Sequence, residues 1–91
     1  MRLVWTDSAL SDLVRLHAFL AAANLAAASR VVRNLQTAAQ HLPQHPSIGT
    51  QLSRYLPRDV RRVIVGPYEM RYEISDNTLY LLRLWHTRER R

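Results

Sequence analysis

The sequence predicts an α+β domain in which an antiparallel two-helix hairpin packs on a mainly antiparallel sheet. An N-terminal strand and a C-terminal three-stranded meander supply the sheet. Three observations lead there. Ala28, Val31, Leu35, Ala38 and Leu42 step by three, four, three and four, the spacing of one helical face. After about Asp59 the period changes to two, in three short runs separated by Gly66-Pro67 and Asp76-Asn77. Ninety-one residues can bury one modest core, so residues 1–91 are read as a single domain whose helices and strands share it.

The elements follow in order. Arg2 to Trp5 is a short strand, because it is apolar-tending and stops at Thr6-Asp7-Ser8, residues of the kind that cap helices. A helix from about Ser8 to Ala23 comes next, with Ala9, Leu13, Leu16 and Leu20 on one face and Asp12 and Arg15 off it. Asn24 tolerates left-handed backbone and caps helices well, so it ends this helix and opens the next. Arg30, Arg33, Gln36, Thr37 and Gln40 cover the solvent side of the second helix, which Pro43, Pro46 and Gly49 terminate. So short a connection makes a helical hairpin.

A loop runs to about Asp59. The strand Val60 to Val65 is rich in β-branched residues, Tyr68 to Ser75 alternates, and Thr78 to His86 is the last strand. Tyr68, Met70, Tyr72 and Ile74 face one way, and Glu69, Arg71, Glu73 and Ser75 the other. In the last strand Tyr80, Leu82, Leu84 and His86 alternate with Leu79, Leu81, Arg83 and Trp85. Matching the apolar sets across this hairpin requires a three-residue loop, since one step of register turns every side chain over. That pairing sets Arg71 beside Arg83 and Glu69 beside Trp85. It predicts a polar, arginine-bearing face opposite the helices.

Composition removes several chemistries. The thirteen basic residues are all arginine, against seven acids, for a net charge of +6. Base-composition bias accounts for part of this, as the ten alanines suggest. Arginine also binds carboxylate and phosphate with a planar fork that keeps its proton. Without lysine there is no amine for a Schiff base, and without cysteine no disulfide, thiolate nucleophile or cysteine-ligated zinc. His41 and His45 flank Pro43, which destroys the helical spacing a metal pair needs, so no metal is expected. Glu69 and Glu73 have Arg71 between them, which favours ion pairing over acid-base work. No serine sits in a glycine-flanked elbow, and Gly49 and Gly66 stand alone, so no cofactor is expected. The uncharged stretch Leu16 to Ser29 is shorter than the roughly 20 residues of a membrane helix. The expectation is a cytoplasmic protein without a membrane partner.

What remains is arginine. Arg58, Arg61, Arg62, Arg71 and Arg83 gather around the sheet, and Arg88, Arg90 and Arg91 form a basic tail after Trp85-His86. Such a surface suits phosphates or an acidic protein segment. Tyr55, Tyr68 and Trp85 have rings that can stack on bases, although burial in a small core is the commoner fate of such side chains.

Over nearly its whole length the sequence resembles the RelE/ParE superfamily of bacterial toxin-antitoxin toxins. The matching features are Val4-Trp5-Thr6 before Ala9 and Asp12-Leu13, Leu42-Pro43 with Pro46-Ser47-Ile48-Gly49, and Val60-Arg61-Arg62-Val63 leading into Gly66-Pro67-Tyr68-Glu69-Met70-Arg71-Tyr72. Leu82-Arg83-Leu84-Trp85-His86-Thr87-Arg88 is the most specific piece. The resemblance implies a toxin held inactive in a hetero-oligomer by a cognate antitoxin, whose acidic and apolar tail folds onto it. It also implies one of two activities. RelE-like members cut messenger RNA on the ribosome, and ParE-like members poison DNA gyrase without nuclease chemistry.

Glu69 stands where the nuclease branch commonly has arginine, and a negative charge there opposes a phosphoryl transition state. The ParE-like reading is therefore favoured. It has no catalytic residues and takes Arg58, Arg61, Arg62, Glu69, Arg71, Arg83, Trp85, His86, Arg88 and Arg90 as target contacts. In the nuclease alternative Arg61, Arg71, Arg83, His86 and Arg88 bind phosphate and move protons.

Overall fold

The computed structural model describes residues 1–89. Strand β1 (Arg2–Trp5) leads into helix α1 (Asp7–Ala21), helix α2 (Leu25–His41), the two-residue strand β2 (Thr50–Gln51), and strands β3 (Asp59–Val65), β4 (Tyr68–Ser75) and β5 (Thr78–His86). Short 3₁₀ turns occupy Leu42–Gln44 and Ser53–Tyr55. The strands form one sheet in the order β1-β5-β4-β3-β2, with β1 parallel to β5 and every other pair antiparallel. The helical hairpin covers one side.

Local chemistry explains the helix boundaries. Thr6 caps α1 by accepting from Ala9 N at 3.2 Å, while its hydroxyl donates to Leu81 O at 2.8 Å and so ties the helix start to β5. Asn24 caps α2 by accepting from Ala27 N at 2.9 Å, with extended rather than left-handed backbone. Ala9, Leu13 and Leu16 of α1, with Leu35 and Ala39 of α2, pack on Tyr68, Met70, Tyr72, Leu79, Leu81 and Leu84. Asp12, placed off the apolar stripe in the sequence reading, is instead only 5% exposed. It lies three residues after Ala9 and four before Leu16, which is within the buried face.

The last hairpin departs from expectation in one respect. Its loop is the two-residue Asp76-Asn77, with φ of 51° and 55°, the left-handed pair a tight hairpin turn requires. The pairing starts one step off the expected register, with Ser75 opposite Thr78 and Tyr72 opposite Leu81. It then shifts between Arg71 and Tyr72, so that Arg71 faces Arg83 and Glu69 faces Trp85. Leu82 is the extra residue, a β-bulge. The bulge replaces the expected third loop residue and has a consequence for packing. Leu79, Leu81 and Leu84 all reach the helix side and are fully buried, whereas strict alternation would have put Leu84 opposite to the other two.

Candidate functional site: an arginine face on the sheet

The outer side of the sheet carries a cross-strand row. Arg62 of β3 is opposite Arg71 of β4, and Arg71 is opposite Arg83 of β5. Like charges directly opposite destabilise a sheet, so this row needs compensation, and two carboxylates and an aromatic ring supply it. Glu69, only 3% exposed, accepts from Arg71 at 3.0 Å and lies 3.9 Å from Arg62. Asp12 reaches from α1 to accept from Arg83 Nε at 2.7 Å and from its terminal nitrogen at 3.1 Å. The buried Trp85 ring lies beneath two guanidiniums, with Arg71 at 4.8 Å and Arg83 at 5.9 Å from its centroid.

Asp12 also accepts from the Leu84 N–H at 2.9 Å. Strand β1 ends at Trp5, opposite Leu81, so beyond that point no strand of the described residues lies beside the edge of β5. The Asp12 carboxylate takes the place of the missing strand. Burial alone would raise its pKa, but the hydrogen bonds from Arg83 and Leu84 and the charges of Arg83 and Arg15 together hold it below the ordinary 3.8. The bulge at Leu82 and the carboxylate at Asp12 thus act at the same place. One turns Arg83 and Trp85 outward, and the other fixes Arg83.

Farther along the face, Arg58 grips Glu73 with two bonds of 3.0 and 2.7 Å. That fork holds the Glu73 carboxyl below its usual range and raises Arg58. Tyr55 accepts from Arg54 and Arg71. Arg54, Tyr55, Arg71, Arg83 and Trp85 line an open cavity of about 860 Å³.

The site residues expected from the sequence do not all meet. Arg62, Glu69, Arg71, Arg83 and Trp85 share the outer face, with Arg58 at its edge. Glu69 and Trp85 are buried beneath the guanidiniums, so any role they have in contact with a partner passes through the arginines. Arg61 pairs opposite Tyr72 and points to the helix side, where it bonds Asp59 at 2.9 Å and the Gly49 carbonyl at 3.0 Å. It secures a loop and leaves the arginine cluster. His86 also belongs to the helix side, edge-on to Tyr68 with ring centroids 5.4 Å apart, and its Nδ1 accepts from Arg88 N at 3.1 Å. The side chain of Glu89 closes that turn, accepting from His86 N at 2.8 Å and from Arg15. Arg88 is exposed, and Arg90 and Arg91 lie outside the described residues.

Asp12 and Arg54 were absent from the expected set, and Tyr55 was named there only as a ring for base stacking. The position of Asp12 between Ala9 and Leu16 was the signal available for it. Among the described residues no three His, Cys, Asp or Glu side chains are grouped to hold a metal ion, and no helix is long and apolar enough to cross a membrane.

Residues 3–91 match the family described as the ParE toxin of the type II toxin-antitoxin system parDE. The chain belongs to the ParE toxin family. Within the wider RelE/ParE superfamily, this ParE-family chain is 33% identical over 85 residues to Toxin RelE2 of Caulobacter vibrioides, covering 93% of each protein. Its fold is that of a chain in the chromosomal ParDE toxin-antitoxin system of P. aeruginosa, with a TM-score of 0.80 at 20% identity over 94% of this chain and 95% of the other. A ParE-family toxin therefore carries, on its exposed sheet face, a row of arginines held from below by buried carboxylates.

Proposed function

We propose that the protein is a ParE-like toxin that binds and inhibits DNA gyrase in the cytoplasm, using the arginine face and the tail from His86 as contacts. One observation carries the reading. The groups an RNA-cutting site would need are divided by the sheet, with Arg71 and Arg83 on the outer face and Arg61 and His86 on the helix side. General acid-base catalysis requires its acid and base within hydrogen-bond reach of one reacting centre. Glu69 is the carboxylate at the middle of the outer face and is already engaged by arginine. The face is arranged to hold a partner.

A cognate antitoxin fits the same charge and reaches the helix side as well. A tail of acidic and apolar residues would pair with exposed arginines and cover the apolar hollow beside Phe19, Tyr68 and His86, giving a toxin-antitoxin hetero-oligomer. Purified protein should block supercoiling by gyrase or trap cleaved DNA. Unaffected gyrase at large molar excess of the protein refutes the reading. A second reading, a RelE-like endoribonuclease acting on translated messages, is favoured by the name of the Caulobacter relative. Codon-phased cuts detected by primer extension after induction would establish it in place of the first.

A further inference from the structure

Arg54 and Tyr55 stand in the 3₁₀ turn between β2 and β3, on the wall of the 860 Å³ cavity above Trp85. The Tyr55 hydroxyl accepts from Arg54 and from Arg71, each at 3.3 Å. A hydroxyl that accepts two bonds keeps its own hydrogen for a third partner. Two guanidiniums also lie over the ring, Arg54 at 5.0 Å and Arg58 at 5.8 Å from its centroid, a contact that uses no donor. Arg58 spends its fork on Glu73, and Arg54 keeps the donors it does not give to Tyr55.

The charges at this corner are uneven. Arg83 and Arg15 have Asp12, Arg71 has Glu69, and Arg58 has Glu73. Among the described residues Arg54 has no carboxylate within ion-pair distance. The side chains of Arg58, Arg62 and Arg83 are each about half exposed, so the positive charge continues across the strands from this corner.

We propose that Arg54 and Tyr55, backed by Arg71 and flanked by Arg83, bind a phosphodiester of a nucleic-acid backbone. A phosphodiester presents paired oxygens that match one guanidinium fork and accept a hydrogen bond from the Tyr55 hydroxyl. Its charge repeats along the chain, as the exposed arginines repeat across the sheet. One protein carboxylate would satisfy Arg54 and leave that array unmatched. The inference rests on the gyrase reading, under which the backbone belongs to the DNA that gyrase holds. The toxin then grips the enzyme-DNA complex and not the enzyme alone.

The full chain is titrated by fluorescence anisotropy into a short labelled DNA duplex over a salt series, and the same variants are tested for inhibition of supercoiling. Arg54→Ala should lower duplex affinity on the order of tenfold. The loss should be equal on unrelated sequences, and the slope of log K against log salt should fall by about one. Tyr55→Phe, which keeps the ring and loses the donor, should weaken binding at an unchanged slope. Arg33→Ala, on the exposed side of α2, should behave as wild type. Inhibition of gyrase should fall in parallel with duplex affinity.

If the wild type inhibits gyrase and both site variants do so equally, with unchanged duplex affinity, the phosphate site is wrong and the gyrase reading stands. If Arg54 governs duplex binding but gyrase is untouched by wild type, the site stands and the gyrase reading falls. Preference for single-stranded RNA over duplex, with the same dependence on Arg54, assigns the phosphate to RNA and overturns the DNA assignment.

Discussion

Replacing Asp12 by alanine removes one small side chain and takes a partner from three groups, Leu84 N–H, Arg83 and Arg15. The Leu84 N–H is buried at the edge of β5 beyond the end of β1, so the loss of its acceptor costs about 1–3 kcal/mol. Arg83 loses two charge-assisted bonds, but its side chain is about half exposed and water replaces part of them, so that contribution is about 1 kcal/mol. Arg15 stands 3.5 Å away, exposed and also bonded to Glu89, and adds little. The sum is about 2–4 kcal/mol out of the roughly 5–14 kcal/mol expected for a chain of this length. At about 4–8 °C per kcal/mol the melting temperature should fall by about 8 °C or more. Asp12→Asn keeps an acceptor for Leu84 and should cost about half as much.

The pH dependence has a definite sign. Because the folded carboxyl titrates below 3.8, its contribution is present above the unfolded pKa and disappears as pH falls through the folded one. Asp12→Ala should therefore flatten the acid limb of a stability-versus-pH curve measured by urea unfolding, while the loss near pH 7 stays in full. An alanine variant within about 0.5 kcal/mol of wild type at neutral pH would refute the reasoning, since surface substitutions cost that little.

Gly49→Ala should cost about 1–3 kcal/mol in the same assay, because its Cβ would lie 2.6 Å from Tyr72 Oη and 2.8 Å from the Arg62 carbonyl oxygen. Tyr72→Phe should cost a similar amount by another route. The hydroxyl accepts from Gly49 N at 2.9 Å and donates to the Pro46 carbonyl at 2.7 Å, and phenylalanine leaves both without a partner. Asn77→Gly should raise the melting temperature by relieving a positive φ in the β4–β5 turn, and a fall would contradict the turn geometry. In an ultraviolet titration Tyr55 should ionise before Tyr68 and Tyr72, its phenolate favoured by hydrogen bonds and charge from Arg54 and Arg71. Tyr72 and Tyr68 should ionise late, because burial raises them. Early ionisation of Tyr72 in the folded state would contradict its place in the core.

The bounds of β1, β4 and β5 were legible because each strand is framed by residues that cannot continue it: Thr6-Asp7-Ser8, Gly66-Pro67 and Asp76-Asn77. The pairing of Arg71 with Arg83 was legible too, since only that register brings the apolar sets together where the strands end. The bulge was not. A two-residue turn at Asp76-Asn77 and the apolar match near Met70 and Leu84 make incompatible demands on one ladder, and the sequence does not say where the extra residue goes. Leu82 absorbs it, just past the last residue paired with β1. Strand β2, with two residues, has no period to read. Arg61 and Arg62 are adjacent in sequence, and grouping them overlooked the alternation that sends them to opposite sides of the sheet. Arg54 and Tyr55 lie in a turn whose backbone, and not any periodicity, brings them over β4.

The net charge of the chain describes this face poorly. Most of its guanidiniums are matched by carboxylates from the same chain, and two of those, Asp12 and Glu69, are buried where an unpaired charge would be costly. Such a pair contributes little net stability, but it fixes the guanidinium it holds, and each fixed guanidinium has donors left on its outer side. The bulge gives the arrangement its direction. Without the extra residue, Arg83 and Trp85 would turn into the core and Leu84 out of it, so the step that completes the hydrophobic core also assembles the arginine row. A surface built this way has strong, prepositioned donors, and the glutamate at the centre of the basic face holds two of them, Arg71 at 3.0 Å and Arg62 at 3.9 Å.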